Sequence, residues 1–176
     1  MKLNKLITEI KLSRIWNHVV NDKKAIGLIT AFRGDKTTED NMKLNKELAY
    51  DIRKEGYGYV FIEGNYIENI GKADERKVKE DSLLVIGSDK DNGKLKFLLK
   101  KLIKKYNQDA AIYKNEAIDT AILISIDGTE VKLGKIQFNK ISDFMTQLKK
   151  GSGTFTFENL VFEKNIFSKL LEKYKY

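Results

Sequence analysis

Ala25-Ile26-Gly27-Leu28-Ile29-Thr30-Ala31-Phe32-Arg33-Gly34-Asp35 reads as a buried strand over 25–32 that stops in a polar loop. Such a strand end is where small α/β proteins place chemistry, because the strand fixes the position of the residues at its end; a continuous apolar run that suggests cover on both faces comes later, in Ser82–Gly87. Thr37, with Asp40 three residues later, resembles a capping box and predicts a helix over 38–54. Met42, Leu44, Leu48, Ala49 and Ile52 supply its apolar content, and Gly56 is placed to stop it in a left-handed C-terminal cap.

Outward from this unit, Tyr57–Glu63 predicts a second strand, Gly64-Asn65 a turn, and Tyr66–Ile70 a short arm pairing back on it. Residues 71–80 are charged and read as a surface loop, and Ser82–Gly87 as a third buried strand. The clearest amphipathic helix spans 93–106. Leu95, Leu98, Leu99, Leu102, Ile103 and Tyr106 lie on one face, and Lys94, Lys96, Lys100, Lys101, Lys104 and Lys105 on the other. Strands follow at 110–114, 119–126 and 130–138, with Asp127-Gly128 as a type I′ hairpin signal. Before the first strand, Leu3, Leu6, Ile7, Ile10, Ile15 and Val19 predict a helix over 3–20. After residue 138 the spacing predicts a helix over 141–150, a flexible Gly151-Ser152-Gly153, an aromatic hairpin or arm over 155–162 and a closing helix over 164–175.

The expected fold is α+β: a central mixed sheet flanked by helices, with a C-terminal helix-hairpin-helix extension. Residues 1–138 form the main domain, and 139–176 pack on it or form a small subdomain. No internal repeat is present.

Composition narrows the function classes. The chain has 176 residues, 41% of them apolar, enough for a sizeable core. It has no cysteine, which removes disulfides, thiolate nucleophiles and cysteine-bound zinc. Its one histidine, His18, has no identifiable partner and reads as structural. No apolar run approaches the ~20 residues that span a bilayer, so no membrane role is expected and the chain is read as cytoplasmic. The net charge of +8 suggests nucleic acid or an acidic protein as partner, yet only four of the 33 basic residues are arginine. That scarcity argues against base-specific readout and leaves non-specific phosphate contact by lysine. Abundant lysine, isoleucine and asparagine without proline also match the output of an AT-rich genome.

Two candidate sites follow. Arg33 and Asp35 after the first strand, Glu63 and Asn65 after the second, and Glu80 and Asp81 before the third gather at one sheet edge if the first two strands are parallel and the third antiparallel. Open α/β sheets place ligands at such an edge. Its carboxylates would hold Mg²⁺ and its arginine a phosphate; outside that enzyme reading no cofactor is indicated. The plainer reading is a set of ordinary polar strand ends, with Arg33 paired to a carboxylate. The second candidate is the lysine face of helix 93–106, whose six ammonium groups would track phosphates or simply face water. Asp89-Lys90-Asp91-Asn92-Gly93 has calcium-loop composition but not its spacing, and reads as a helix start. Glycine-rich nucleotide loops are absent.

Asn45-Lys46-Glu47-Leu48 through Gly56-Tyr57, then Glu63-Gly64-Asn65-Tyr66, then Glu80-Asp81-Ser82-Leu83-Leu84-Val85-Ile86-Gly87 resemble a small family of uncharacterised bacterial and phage proteins, over about residues 25–125. That family has a strand ending in a polar loop, an N-x-x-L helix, a Gly-Tyr strand and an acidic E-x-S-hydrophobic-Gly strand. Its tryptophan-proline element is replaced here by Phe32-Arg33-Gly34. The resemblance implies a phage or mobile-element origin, and with it the host bacterial cytoplasm, but no activity. The function expected from the residues is therefore an accessory protein that binds nucleic acid or an acidic host protein through Lys94–Lys105. A metal-dependent phosphoryl-transfer enzyme using Glu63, Glu80, Asp81 and Arg33 is the alternative. A virion or assembly component, with Phe155–Phe162 as an interface arm, is a further one.

Overall fold

Eight strands and two helices account for the described part of the chain. The computed structural model describes residues 24–68, 76–117, 120–138, 145–148 and 154–157. The expected helices over 3–20 and 164–175 and the hinge at 151–153 lie outside them. The strands are β1 (Ile26–Ile29), β2 (Gly58–Glu68), β3 (Arg76–Ile86), β4 (Ala110–Lys114), β5 (Thr120–Ser125), β6 (Glu130–Phe138), β7 (Met145–Leu148) and β8 (Thr154–Phe157); the helices are α1 (Thr38–Lys54) and α2 (Lys94–Lys105). The order around the sheet is β1-β3-β2-β7-β8-β6-β5-β4, and β4 returns to β1, closing a barrel. The expected α+β class holds. Each pairing between strands is antiparallel. β1 and β2 both run against β3, so they are parallel to each other with β3 between them.

Two apolar layers result from the two-residue alternation of the strands. Leu83 and Val85 of β3, Ile29 of β1, Ala111 and Tyr113 of β4 and Ile124 of β5 face the helices in one buried cluster. There they meet Leu48, Ala49 and Ile52 of α1 and Leu95, Leu98, Leu99, Leu102 and Ile103 of α2. Ile26, Leu28, Ile62, Leu84, Leu123 and Leu133 are buried on the opposite face, inside the barrel. α1 lies over β2 and β3, and α2 over β1 and β4. α2 approaches β1 so closely that a Cβ on Gly27 would stand 2.9 Å from Leu99 Cδ1; only glycine leaves room for that leucine.

The helix ends follow the expected chemistry. Thr37 accepts from the Asp40 amide at 3.1 Å, and Gly56 is left-handed at φ 85°, with Tyr57 N donating to Ile52 O at 3.2 Å. This is a Schellman-type stop. α2 is capped by Asp91, two residues before Gly93. Its carboxylate accepts from Leu95 N at 2.8 Å and from the Tyr57 hydroxyl at 2.9 Å, and it is 3% exposed. Asn92-Gly93 thus leads directly into α2.

Several boundaries differ from the sequence reading. Gly64-Asn65 makes no turn: β2 runs through it, with Gly64 opposite Glu80 and Asn65 opposite Lys79. The charged 76–80 segment is strand, because eleven residues of β3 pair along the whole of β2. Met145–Leu148 is strand where a helix was expected, since β2 and β8 offer it ladder partners; tertiary pairing outweighs weak helix propensity. The Asp127-Gly128 hairpin is not type I′. Gly128 alone is left-handed, Gly128 N donates to Ser125 O at 2.9 Å, and Ser125 N to Thr129 O at 2.9 Å. This is the three-residue loop with a left-handed glycine.

Candidate functional site

Side-chain hydrogen bonds gather at the end of β1. β1 leaves the sheet after Ile29, while β3 continues beyond it. The chain then turns through Thr30–Asp35, and four side chains hold it there. Asn45 of α1 accepts from Ala31 N at 2.7 Å and donates to Asp81 O of β3 at 2.7 Å. Thr30 Oγ1 donates to the same Asp81 oxygen at 2.8 Å. Asn41, one helical turn before Asn45, accepts from Arg33 N at 2.8 Å and donates to Arg33 O at 3.0 Å. Gln108, before β4, donates to Phe32 O at 3.1 Å. Asn41, Asn45 and Gln108 are all buried, at 6%, 2% and 7% exposure. Buried amides are costly unless bonded on both ends, so such a set marks a loop held in one shape.

Around this loop the expected site residues divide. Glu63 and Asp81 stand directly opposite each other on β2 and β3. By alternation they share the helix-bearing face with Leu83, Val85, Tyr59 and Phe61. Two carboxylates at cross-strand spacing repel, and each of them also interacts with a neighbouring group. Tyr59 and Phe61 continue the same face as an edge-to-face ring pair 5.5 Å apart, with Phe61 36% exposed. Glu80 is adjacent to Asp81 in sequence, so the pleat turns it to the barrel-interior face with Ser82 and Leu84. Asn65 lies in β2 between Lys79 and Met145 in register. Arg33 turns the other way: it pairs with Asp35 at 2.9 Å and reaches Asn107 O at 3.3 Å. Its hydrogen bond and charge hold the Asp35 carboxyl below the usual carboxylate range, against a weaker opposing push from desolvation. The six residues therefore form no single cluster. Glu63 and Asp81 meet, Arg33 and Asp35 meet, and the buried asparagines separate the two pairs. Among the described residues no group of three or more potential ligands is arranged to hold a metal.

Half of the lysine face of α2 is committed to the protein's own acids. Lys96 and Lys100 both bind Glu130, at 2.8 and 2.9 Å. Lys105 binds Asp51, which also accepts from the Tyr106 hydroxyl. Lys101 lies over the Phe97 ring, 4.6 Å from its centroid, while Lys94 and Lys104 face solvent. Hydrogen bonds from Lys96 and Lys100 hold Glu130 below the ordinary carboxylate range. Burial raises Asp51, and the bonds from Lys105 and Tyr106 outweigh it, so its carboxyl too is lowered. Between the helices a shallow cavity of about 400 Å³ is lined by Lys46, Glu47, Tyr50, Asp51, Lys105 and Tyr106.

Thr30, Asn41 and Gln108 escaped the sequence reading, and Asn45 entered it only as part of a motif. Their signal was present: asparagines four residues apart on α1, in phase with the buried Leu48, Ala49 and Ile52. Asparagine disfavours helix interiors, so two on the buried face need a structural reason.

Residues 27–163 match the S-adenosylmethionine lyase family. The matched span contains β1 from Gly27 onward, the Thr30–Asp35 loop, Asn45, Glu63 and Asp81. A solved structure described as a phage SAM lyase in complex with S-methyl-5′-thioadenosine is similar at 21% identity, covering 62% of this chain and 86% of that one, with a TM-score of 0.33. No curated protein sequence matches the chain. The family match overturns the expected accessory protein binding nucleic acid or an acidic host protein, together with its phosphoryl-transfer and assembly alternatives. It also corrects the resemblance to uncharacterised proteins, since the matched family carries a named activity. The physical reason for the first error is visible in α2: a lysine stripe is a weak signal of a partner when neighbouring acids occupy half of it.

Proposed function

This chain belongs to the S-adenosylmethionine lyase family, and we propose that it cleaves S-adenosylmethionine without water at the face formed by Glu63, Asp81, Tyr59 and Phe61. The observation carrying this reading is the family match over the span that holds the site. The substrate brings a sulfonium, an ammonium and a carboxylate. Attack of its own carboxylate oxygen on Cγ closes a five-membered lactone and breaks the Cγ–S bond. The electron pair goes to sulfur, which leaves as the neutral thioether of 5′-methylthioadenosine, and no proton moves. Opposite charges disappear in this step, so its transition state is less polar than its ground state. Groups that bind the sulfonium or the carboxylate tightly would slow it; a weakly polar wall speeds it.

Roles follow from that balance. Glu63 and Asp81 hold the α-ammonium, whose charge is unchanged by the reaction. Phe61 faces the collapsing sulfonium–carboxylate pair, tolerating the cation through its ring face, beside Tyr59, whose ring carries the Arg53 guanidinium 5.3 Å from its centroid. Arg33, engaged by Asp35, stays off the attacking carboxylate. The chemistry calls for no metal, so activity should survive EDTA. We assign the chain to the cytoplasm, the compartment of its substrate.

The test is incubation of the purified protein with S-adenosylmethionine and chromatography of the products. Methylthioadenosine and the amino-lactone are expected in equal amounts. Glu63→Gln and Asp81→Asn should each lose about 30-fold or more in kcat/KM, the cost of removing one partner of a charge pair. A substrate analogue with a keto group in place of the ammonium should be slow with the original protein and no slower with Glu63→Gln. Absence of either product, or full turnover by both variants, overturns the reading.

A further inference from the structure

Continuing the β1–β3 register beyond Ile29↔Leu83 would set Ala31 opposite Asp81. Ala25 and Gly87, six residues back in the same phase, are hydrogen-bonded directly, with Gly87 N donating to Ala25 O at 2.8 Å. Ala31 N–H and Asp81 C=O should therefore bond each other in the next repeats of the ladder. They do not. The Asn45 side-chain amide stands between them and takes both bonds, at 2.7 Å each. Asn45 acts as a wedge: it ends β1, turns Thr30–Asp35 out of the sheet and fixes the β3 backbone at Asp81. Thr30 supplies the second bond to the same oxygen. A helical asparagine at 2% exposure is a poor choice for packing alone; its two bonds are made only to the strand end and to Asp81.

We infer that Asn45 is a positioning residue for the cleavage reaction, holding the β3 backbone at Asp81 on the side that β1 has left, so that Asp81 and its ladder partner Glu63 receive the ammonium together. The inference rests on the reading of Glu63 and Asp81 above. Asn45 touches neither substrate nor reacting atoms; it acts through the Asp81 backbone.

Asn45→Asp tests this. The variant is isosteric and still accepts from Ala31 N. When ionised it faces the Asp81 oxygen with an acceptor, and when protonated it regains a donor. Burial raises the titration of such a carboxyl, so the donor should return in mildly acidic solution. The charged residue bonded directly to Asn45 is Asp81 on β3, through its backbone oxygen; Arg33 and Asp35 pair with each other in the loop held by Asn41, one helical turn away. The original protein has them all, so the ratio of variant to original isolates the new carboxyl. The expected result is a fall of about 100-fold in kcat at pH 8, the scale of a misplaced binding group, recovering toward the original value near pH 5.5. Thermal melts over the same range confirm that the assayed protein is folded. A variant with unaltered kcat at every pH overturns the inference, as does one whose deficit is independent of pH. Should Asn45→Asp fail to fold, Thr30→Val decides: kcat reduced about fivefold, the worth of one hydrogen bond, supports the positioning of Asp81, and an unchanged kcat overturns it. Asp81→Asn separates the two levels. If it retains full turnover, the site reading itself is wrong; if it is inactive while Asn45→Asp is fully active, only the positioning role is lost.

Discussion

α1 and α2 cover the same barrel and do different work. α2 presents an unbroken apolar face of Leu95, Leu98, Leu99, Leu102 and Ile103, and its lysines flank that face. α1 buries Leu48, Ala49 and Ile52 in its last turns, but in its first turns it buries Asn41 and Asn45. The helix with the sharper amphipathic pattern packs; the one with the blurred pattern builds the site. High contrast between faces is what a helix needs for burial alone, whereas polar groups on a buried face record a second task.

This contrast can be broken by mutation. The largest effect belongs to α2: Leu99→Ala, fully buried against Gly27, should lower stability by about 3 kcal/mol in chemical denaturation. Turnover per folded molecule should not change; a fall would make α2 part of the site and end the distinction. Thr37→Ala removes the cap of α1 and should cost about 1 kcal/mol. Because the frayed turns carry Asn41 and Asn45, turnover should fall with it, and stability loss alone would weaken the role given to α1.

Glu130→Gln should cost under about 1 kcal/mol, as half-exposed ion pairs do. Glu130 titrates below its ordinary value in the folded protein. Its contribution is therefore present above the usual carboxylate range and is lost as pH falls through the lowered folded value; the variant should show a flatter stability profile in acid. The smallest effect is expected for Lys94→Glu combined with Lys104→Glu. Stability should stay within about 0.5 kcal/mol and turnover should be unaltered, since these lysines face solvent. Lost turnover would restore the lysine face as a functional surface.

The sequence was legible where local chemistry decides the outcome. Thr37, Asp40 and Gly56 set both ends of α1 at the observed residues, and the α2 face was read residue by residue. It was misleading where a distant partner decides. Gly64-Asn65 has turn composition, yet β3 lies alongside and carries the strand through. Residues 145–148 look helical until β2 and β8 supply a ladder. The candidate site was half legible. Glu63 and Asp81 are carboxylates at adjoining strand positions, opposite each other in register, while Glu80 differs from Asp81 only by the pleat. The buried asparagines were hidden because a polar residue in a helix reads as solvent-facing until the opposite phase is known.

The shortest of the buried strands has a consequence for synthesis. β1 is four residues long, fully buried, and flanked by β3 and β4. Both neighbours come later in the chain, β4 ending only at Lys114. A nascent chain therefore carries Ile26–Ile29 with bare amides and carbonyls on each side until more than eighty further residues have been added. Such an exposed apolar edge invites pairing between chains. Fragments ending before Lys114 should accumulate as aggregates, and a ribosome pausing in that interval would hold the most adhesive form of the protein.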